Sequence, residues 1–341
     1  MVTIYDIAKK AKVSPMTVSR VINNSGNIRV ATREKVEKAI KELGYIPNEA
    51  ARSLTSNQTK TLGLILTDIT NPFFAKVARG AEAKAMETGY RILLANTDED
   101  FEKEKSYTDM MISARVDGVI MTPTNDESLK HVERLNQHNI PTVLLDRTVE
   151  GFEGDCVLGD SYKGSRELVR HLIDYGHKNI ALVNGPRNIS TSRERERGYV
   201  ETLKLNDLPI HENYISEFDF RSMEPHAAHS IVEKLMSLDE DKRPTAIFAS
   251  NNFIAISVIQ SLRQMNLRVP EDVSIVCFDE IEPVEYFDPF FTVAAQPATE
   301  FGKISLQYLV ERLENDGLEQ SRKVILPPDI HIRKSTQRIE E

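Results

Sequence analysis

Residues 14–23 read SPMTVSRVIN, and this stretch predicts a short helix with one buried face and one free face. Ser14 is a favourable N-cap, and Pro15 suits the first helical position, where no backbone N–H is needed. Val18 and Val21 recur at helical spacing and begin an apolar stripe. The other side chains point away from that stripe, so the helix presents a polar, cationic face to its surroundings.

A second helix precedes this one, and a third follows it. Thr3 and Asp6 have the spacing of a capping box, Thr32 can cap the third helix, and Gly44 is placed for a left-handed stop. Two short helices joined by a tight turn, the second with a free polar face, are typical of a helix-turn-helix, which places its second helix in the DNA major groove. From periodicity alone, an ordinary three-helix bundle is the favoured interpretation.

The charge distribution favours the DNA-binding interpretation. Residues 1–60 contain 11 Lys or Arg against 5 Asp or Glu, whereas residues 61–341 contain 32 against 47. A basic head suits contact with phosphates, and an acidic body should avoid nucleic acid.

Length and composition indicate an ordinary soluble protein of two or three domains, since 341 residues with 40% hydrophobic content can build large cores. The longest apolar runs are strand-sized and no signal-peptide pattern is present, so we expect a cytoplasmic protein without membrane contact. Cys156 and Cys277 lie in apolar segments without the spacing of a metal site or disulfide framework, which indicates buried free thiols.

The segment after Tyr45 is polar and marks a linker. Asn48 could cap a two-turn helix with Ala51 and Leu54 on one face, although so short a helix is marginal in isolation. Leu54 has no apolar neighbour nearby, so the simplest interpretation is that it packs on the body.

From residue 62 onward, short apolar runs alternate with helix-like stretches. The runs are LGLILT, RILLAN, GVIMT, TVLLD, CVLGD, IALVNG, AIFAS and SIVCF. The helix-like stretches are 75–88, 101–114, 127–138, 162–175, 195–205, 225–236 and 254–265. This alternation predicts an α/β fold with parallel strands and helices on both faces, in either one sheet or two.

Ligands in such folds bind beyond the carboxyl ends of the strands. The segments at those ends are strongly polar: 68–74, 96–98, 122–124, 146–147, 184–195, 250–252 and Asp279. Asp, Asn and Arg side chains bind hydroxyl-rich molecules, and Phe73 and Phe74 could stack on the apolar face of a sugar. For any single residue, an ordinary polar loop is an equally good interpretation.

The sequence carries no enzyme signature. It lacks the glycine-rich phosphate loops, the G-x-S-x-G nucleophile motif and the H-E-x-x-H zinc motif. We therefore predict no catalytic residue, no metal and no cofactor. A transport receptor for sugars would share the body but would need an export signal in place of the basic head.

Two long stretches, IYDIAKKAKVSPMTVSRVIN and TREKVEKAIKELGYIPNEAARSL, resemble the head and hinge of the LacI/GalR family of bacterial transcription factors. The resemblance continues through NPFF, VDGVI, YGHKNIALVNGP, RPTAIFAS, VPEDVSIVCFD and IHIRKST, so it covers essentially the whole chain.

The resemblance implies a helix-turn-helix head (1–47), a hinge helix and linker (48–60), and an effector-binding and dimerisation core (61–341). That core would be two doubly wound α/β subdomains of periplasmic-binding-protein-like type. The N-subdomain would be 61–161 with 291–321, and the C-subdomain 162–290 with 322–334. The family binds DNA as homodimers, sometimes tetramers. Because no leucine heptad follows Ser335, we expect a dimer.

The resemblance also implies DNA-contacting residues. They fall on Tyr5, Ser14, Pro15, Met16, Thr17, Ser19, Arg20, Asn23, Ala51 and Leu54. Arg20 is the strongest base-reading candidate, since a guanidinium can bond the O6 and N7 of guanine together. Leu54 matches the hinge wedge that unstacks a base step in the minor groove.

Effector-binding positions implied by the resemblance are Phe73, Phe74, Asp146, Asp160, Arg195, Phe220, Asn251, Asp279 and Gln296. Many members carry Asn-Asp where this chain has Asn251 and Asn252, so one carboxylate is missing. Four arginines, Arg187, Arg193, Arg195 and Arg197, lie close together in sequence. If two of them face the cleft, a sugar acid or sugar phosphate becomes a candidate ligand.

The resulting functional prediction is a ligand-responsive repressor of carbohydrate-utilisation genes, acting as a homodimer on double-stranded operator DNA. A sugar or sugar-acid effector would change the orientation of the subdomains, and either release or enhanced DNA binding is compatible with the sequence. The alternative is a catabolite-control-type regulator whose DNA binding is set by a protein co-regulator.

Overall fold

The computed structural model describes residues 2–23, 25–45, 58–220, 228–281, 289–315 and 320–339. The chain divides into two compact units, Met1–Thr59 and Lys60–Glu341, each with its own hydrophobic core. Most of the predicted hinge, including Ala51 and Leu54, lies outside the described residues, so the hinge helix and the leucine wedge stay predictions.

The first unit contains α1 (Ile4–Ala11), α2 (Pro15–Ile22) and α3 (Val30–Leu43). Ile7, Val18 and Val36, one from each helix, are fully buried against one another in its core. Only three residues separate α1 from α2, so the predicted helix-turn-helix is confirmed.

Local sequence sets the ends of α1 and α2 as predicted. Thr3 and Asp6 form the capping box, in which Thr3 N donates to Asp6 Oδ2 at 2.8 Å. Ser14 Oγ accepts the backbone N–H of Thr17 at 3.2 Å and so caps α2, with Pro15 at its first position.

The predicted start of α3 at Thr32 is wrong, whereas its end at Gly44 is confirmed, with a left-handed φ of 59°. The helix begins at Val30 because the carbonyl oxygen of Arg29 accepts the N–H groups of Thr32 and Arg33. The first N–H groups of α3 are therefore bound by a backbone carbonyl and not by the predicted side-chain cap. Any residue has such a carbonyl, so the sequence does not indicate this start.

The second unit contains twelve strands within the described residues. They are β1 (Thr61–Leu66), β2 (Arg91–Asn96), β3 (Gly118–Met121), β4 (Thr142–Asp146), β5 (Asp155–Gly159), β6 (Ile180–Asn184), β7 (Ile215–Glu217), β8 (Ala246–Ala249), β9 (Ser274–Phe278), β10 (Thr292–Ala295), β11 (Lys323–Leu326) and β12 (Asp329–His331). All eight predicted strands are present, and β7, β10, β11 and β12 were not predicted.

The helices of this unit follow the predicted alternation. They are α4 (Pro72–Thr88), α5 (Phe101–Ser113), α6 (Leu129–Gln137), α7 (Ser161–Asp174), α8 (Ser190–Leu205), α9 (His229–Met236), α10 (Asn252–Gln264) and α11 (Ala298–Glu314). The prediction missed α11 and began α8 five residues late, at Arg195 instead of Ser190.

The strands form two separate six-stranded sheets, which settles the choice between one sheet and two. Their orders are β11-β5-β4-β3-β1-β2 and β12-β10-β9-β8-β6-β7. All pairs are parallel except β10 with β12. Buried apolar residues cover both faces of each sheet, as expected for doubly wound α/β halves. We call the halves built on these sheets the first half and the second half.

Two predicted subdomain boundaries need correction. Within 291–321, which we assign to the N-subdomain, β10 instead pairs with β9 in the second sheet, where Val293 is buried in the core. The rest of this segment, α11, packs in the core of the first half. Within 322–334, which we assign to the C-subdomain, β11 instead extends the first sheet by pairing with β5, whereas β12 pairs with β10 in the second sheet. In both cases the hydrogen bonds between neighbouring strands determine the half to which the strand belongs, and sequence spacing does not reveal these bonds.

A buried ion cluster ties β11 and α11 to the first sheet. Asp155 is fully buried and accepts hydrogen bonds from Arg312 Nη2 and from Arg322 Nη2, both at 2.8 Å. Burial acts to raise the pKa of this carboxyl, but the hydrogen bonds from the two arginines outweigh burial and lower it.

Two further expectations concern the whole chain. Cys156 and Cys277 are buried free thiols, as predicted. Within the described ranges, no helix combines the length and the apolar character needed to cross a membrane.

Asp155→Asn is expected to lower the free energy of unfolding by about 3 kcal/mol. This is the low end for breaking a buried pair, because both guanidinium groups are about a quarter exposed. Urea unfolding measures the loss. The matched control is Asp174→Asn, whose pair with Arg170 is solvent-exposed and should cost about 0.5 kcal/mol or less. Equal losses for the two variants would contradict this role of Asp155.

Candidate functional site

The free face of α2 is the candidate DNA-reading surface. Met16 is 65% exposed and Arg20 is exposed, while Val18 and Val21 on the opposite face are buried. Within the described residues Arg20 forms no ion pair, and its backbone carbonyl accepts the N–H of Ser25 at 2.9 Å. The guanidinium is thus available to contact a base edge.

Side chains near Arg20 on α2 form hydrogen bonds with one another. Ser14 Oγ lies 2.9 Å from Thr17 Oγ1, and Asn23 Nδ2 donates to Ser19 Oγ at 3.4 Å. Such hydroxyl and amide groups can contact phosphates, which fix position without reading sequence. Of the ten predicted DNA-contacting residues, the eight that the structure describes lie on the exposed or half-buried surface of the first unit.

A cavity of about 270 Å³ lies where the carboxyl ends of the two sheets meet. The first half lines it with Asp68, Asn71, Phe73, Phe74, Glu99, Asp146 and Arg147. The second half lines it with Thr191, Arg195, Phe218, Phe220, Asn251, Phe253, Ile256, Ser257, Gln260 and Asp279. We call this cavity the cleft.

Strand ends and helix starts position these side chains. Asp146 ends β4 and Asp279 follows β9, both in the left-handed region, with φ values of 65° and 69°. Asn71 caps α4 by accepting the N–H of Phe73 at 3.0 Å, and Asn251 caps α10 by accepting that of Ile254 at 2.8 Å. These caps fix the first turns of both helices against the cleft.

Arg195 and Asp279 form the central buried ion pair, with Arg195 Nη2 3.7 Å from Asp279 Oδ2. Both side chains are less than a tenth exposed. The guanidinium also donates to the carbonyl oxygen of Ser250 at 2.6 Å and lies 3.9 Å above the ring of Phe278. Gln296 Nε2 donates to Asp279 Oδ1 at 2.8 Å.

Burial dominates the electrostatics of this pair. It raises the pKa of Asp279 to about 6, with the attraction of Arg195 only partly offsetting it, and it lowers the pKa of Arg195. Burial also raises the pKa of Asp146, against the attraction of Arg147 and Arg195. The cleft therefore holds charges that are not fully compensated within the protein.

A second ion pair forms part of the cleft wall in the first half. Arg147 binds Glu99 through two parallel hydrogen bonds of 2.6 and 2.7 Å and donates to the carbonyl oxygen of Pro123 at 3.2 Å. This bidentate geometry fixes the guanidinium plane, which lies 5.8 Å from the ring centroid of Phe220.

Two glycines make room for cleft side chains. A Cβ on Gly185, after β6, would lie 2.1 Å from the ring of Phe220. A Cβ on Gly159, at the end of β5, would lie 1.8 Å from Gln296 Oε1. Both side chains occupy their positions because the strand ends beneath them carry no side chain.

The structure brings together seven of the nine predicted effector-binding residues: Phe73, Phe74, Asp146, Arg195, Phe220, Asn251 and Asp279. Gln296 supports the site by its bond to Asp279. Asp160 is not in the cleft lining; its carboxylate caps α7 by accepting the N–H of Lys163 at 2.9 Å, and the residue borders a neighbouring cavity that shares Asp146 and Thr191 with the cleft.

The condition for an anionic ligand, two of the four neighbouring arginines in the cleft, is not met. Arg195 alone of the four lines it. Arg193 pairs with Asp126. Arg187 and Arg197 pair with Glu196 and Glu194.

Sequence reasoning missed several lining residues. Asp68, Asn71, Arg147 and Thr191 fall in the polar strand-end segments, so that signal was present but not specific. Phe253, Ile256, Ser257 and Gln260 lie along the first three turns of α10. Phe218 and Glu99 complete the set. Apolar residues on a helix look like core residues in sequence, so no pattern could assign them to the cleft.

The cleft suits binding of a small polar molecule. Asp68 Oδ2, Asp146 Oδ1, Arg147 Nε and Arg195 Nε are buried and have no hydrogen-bond partner among the described residues. They offer both acceptors and donors to a ligand, since buried polar atoms are costly when unpaired. The described residues contain no group of three or more side chains placed to hold a metal ion.

Comparison with known proteins covers both units. A family model of bacterial regulatory proteins of the lacI family matches residues 3–48, and a periplasmic binding protein-like domain matches residues 169–336. The HTH-type transcriptional repressor PurR of Vibrio parahaemolyticus is 37% identical over 341 residues, covering 99% of this chain and 100% of that relative.

Solved structures of transcriptional regulators also match nearly the whole chain. A lac repressor dimer bound to operator and the anti-inducer ONPF matches with a TM-score of 0.84 and 27% identity, covering 98% of this chain and 99% of that chain. A complex of the transcriptional regulator CelR with cellobiose matches with a TM-score of 0.71 and 28% identity, covering 98% and 100%.

Arg20→Ala is expected to abolish selection of one operator sequence while leaving weak, salt-sensitive binding to any duplex, because a bidentate base contact contributes about 1–3 kcal/mol of discrimination. Fluorescence anisotropy on a selected operator and a scrambled duplex measures the specificity ratio. Lys12→Ala, which removes an exposed charge from the turn, is the control and should weaken binding to both duplexes alike. An unchanged ratio for Arg20→Ala would contradict the assignment.

Asp279→Asn is expected to stabilise the protein at pH 7.5 by as much as about 3 kcal/mol, because a carboxyl with its pKa raised from 3.8 to about 6 costs folding free energy when it ionises. That cost is absent below pH 3.8, grows as the pH rises to about 6 and is constant above. Urea unfolding across this range should show that the free energy of unfolding of the variant, relative to wild type, increases from pH 4 to 6. Lower stability of the variant at pH 7.5 would show that the pair with Arg195 outweighs burial.

Proposed function

The chain belongs to the LacI/GalR family of bacterial transcriptional regulators, and from that premise we propose that an uncharged, hydroxyl-rich small molecule bound in the cleft controls its binding to operator DNA. The chain is a DNA-binding transcriptional repressor of this family. The effector, its chemical class and the controlled genes are the parts that we propose.

The single observation that carries the effector class is the composition of the cleft. Four carboxylates, from Asp68, Glu99, Asp146 and Asp279, face two guanidinium groups, from Arg147 and Arg195. An anionic ligand would meet an excess of negative charge, so we do not extend the proposal to sugar acids or sugar phosphates. Neutral hydroxyl groups can donate to the carboxylates and accept from the arginines.

Size and shape also support a sugar of about monosaccharide dimensions. The cavity of about 270 Å³ lies just below the usual range of ligand pockets, which is about 300–1,000 Å³, and so favours a small ligand. Phe73 and Phe74 meet edge to face, with ring centroids 5.1 Å apart, and present an apolar wall. The CelR match is a cellobiose complex, which supports a carbohydrate ligand and control of carbohydrate-utilisation genes.

On the DNA side, we propose that α2 enters the major groove and that Arg20 reads a guanine, with Pro15 and Met16 offering shape and apolar contact. Two copies of the chain would bind the halves of a pseudo-palindromic operator, as a homodimer, which the dimeric lac repressor complex supports. The hinge residues Ala51 and Leu54 would fold into the central minor groove between them.

The experiment is operator affinity by fluorescence anisotropy, on a duplex selected from random DNA, with and without a panel of neutral sugars, sugar acids, sugar phosphates and nucleobases. We expect a neutral sugar to change operator affinity by about 5- to 150-fold, the usual range of allosteric coupling, and the anionic compounds to leave it unchanged. Asp279→Asn should lose this response. Asp160→Asn, outside the cleft and still a good cap, should keep it.

A response to a sugar acid or phosphate alone would overturn the proposed ligand class. Tight specific DNA binding without a response to any compound would overturn small-molecule control and favour a protein co-regulator instead.

A further inference from the structure

Asn252 follows the cleft residue Asn251 but does not itself line the cleft. It is the first residue of α10 in the second half, is 1% exposed, and its Nδ2 donates to Asn71 Oδ1 at 2.9 Å. Asn71 belongs to the first half and lines the cleft. This hydrogen bond therefore joins the two halves directly.

The direction of this bond is fixed by the helix that Asn71 caps. Asn71 Oδ1 already accepts the N–H of Phe73 at 3.0 Å, so this oxygen must face both Phe73 and Asn252. The residue at 252 must then supply a donor. Asn252 is oriented to do so, because its own Oδ1 accepts the N–H of Phe253 at 2.9 Å and its Nδ2 also reaches the carbonyl oxygen of Glu280 at 3.4 Å.

We propose that Asn252 is a positioning residue that holds the two halves together across the cleft through Asn71. An aspartate at 252 would place a carboxylate against an oxygen that cannot turn away without uncapping α4. The bond fixes Asn71, and Asn71 in turn fixes the start of the segment that carries Phe73 and Phe74 into the cleft. Asn252 thus sets the separation of the halves although it does not line the cleft.

An exposed ion pair between the halves provides a natural comparison. Arg193 in the second half binds Asp126 in the first half through bonds of 2.6 and 2.9 Å, but both side chains are about 40% exposed. Exposed ion pairs contribute little, whereas a buried donor and acceptor left unpaired are costly. The buried amide pair should therefore dominate over the exposed ion pair.

The test measures the separation of the halves in the full chain. Spin labels are placed on cysteines introduced at two exposed sites, Glu133 on α6 and Lys204 on α8, while the native cysteines are buried. Pulsed electron resonance, on labelled chains diluted with unlabelled chain, gives the distance distribution. Asn252→Asp is expected to lower the ratio of the wild-type distance to longer distances by about 5- to 150-fold.

Asn71→Asp is the matched control. The same change on the other side of the bond keeps the helix cap and the acceptor, so the wild-type distance distribution should remain. Asp126→Asn should change the ratio by about fivefold or less. If Asn252→Asp does not fold, Asn252→Ala removes the same donor and is expected to shift the distribution in the same direction.

An equal shift for Asn252→Asp and Asn71→Asp, or no shift for either, would overturn the proposal, because only a directional hydrogen bond distinguishes the two substitutions. The inference uses the proposed function only in linking closure of the cleft to DNA binding. If no compound changes the operator affinity of the unmodified chain, the proposed function is overturned while the distance result stands, so the two failures are distinguishable.

Discussion

The buried contact between Arg195 and Asp279 is the interaction on which the cleft depends. Parallel strands of two sheets end at the same place, and they deliver charged side chains into a space that solvent hardly reaches. At 3.7 Å the two ions attract each other, yet burial still shifts the pKa of each toward its neutral form. The protein thus keeps a destabilising arrangement that a ligand with hydroxyl groups would relieve.

The surrounding structure holds this arrangement in place from both halves. Gln296 supports Asp279, and the bidentate pair of Arg147 and Glu99 fixes the opposite wall. Asn252, which lies outside the cleft lining, joins the halves through Asn71, which lines the cleft. Because the cleft walls belong to different sheets, a ligand that binds both walls favours one separation of the halves. That preference would be the physical basis of the proposed control of DNA binding.

Much of this organisation could be predicted from sequence. The capped helix from Pro15 and the eight strands carry strong local signals: caps, helical spacing and apolar runs between polar ends. The elements that escaped prediction have weak or misleading local signals. β12 is three residues long, and β11 at the sheet edge is half exposed, so neither shows the burial pattern of a strand. The half to which β10 and β11 belong depends on ladder partners more than a dozen residues away. Likewise, the family resemblance assigns Asp160 to the effector site, and sequence clustering made Arg193 a conditional candidate. In the structure Asp160 caps α7 through Lys163 N and Arg193 pairs with Asp126.

The central claim is that the cleft and the DNA-reading helix are thermodynamically coupled. The most direct measurement is a reciprocal one with the compound that changes operator affinity: its dissociation constant is determined calorimetrically for the free protein and for the operator complex. Linkage requires that DNA change effector affinity by the same factor by which the effector changes DNA affinity. Equal factors are the predicted result. An effector that binds both forms with the same affinity would contradict the account.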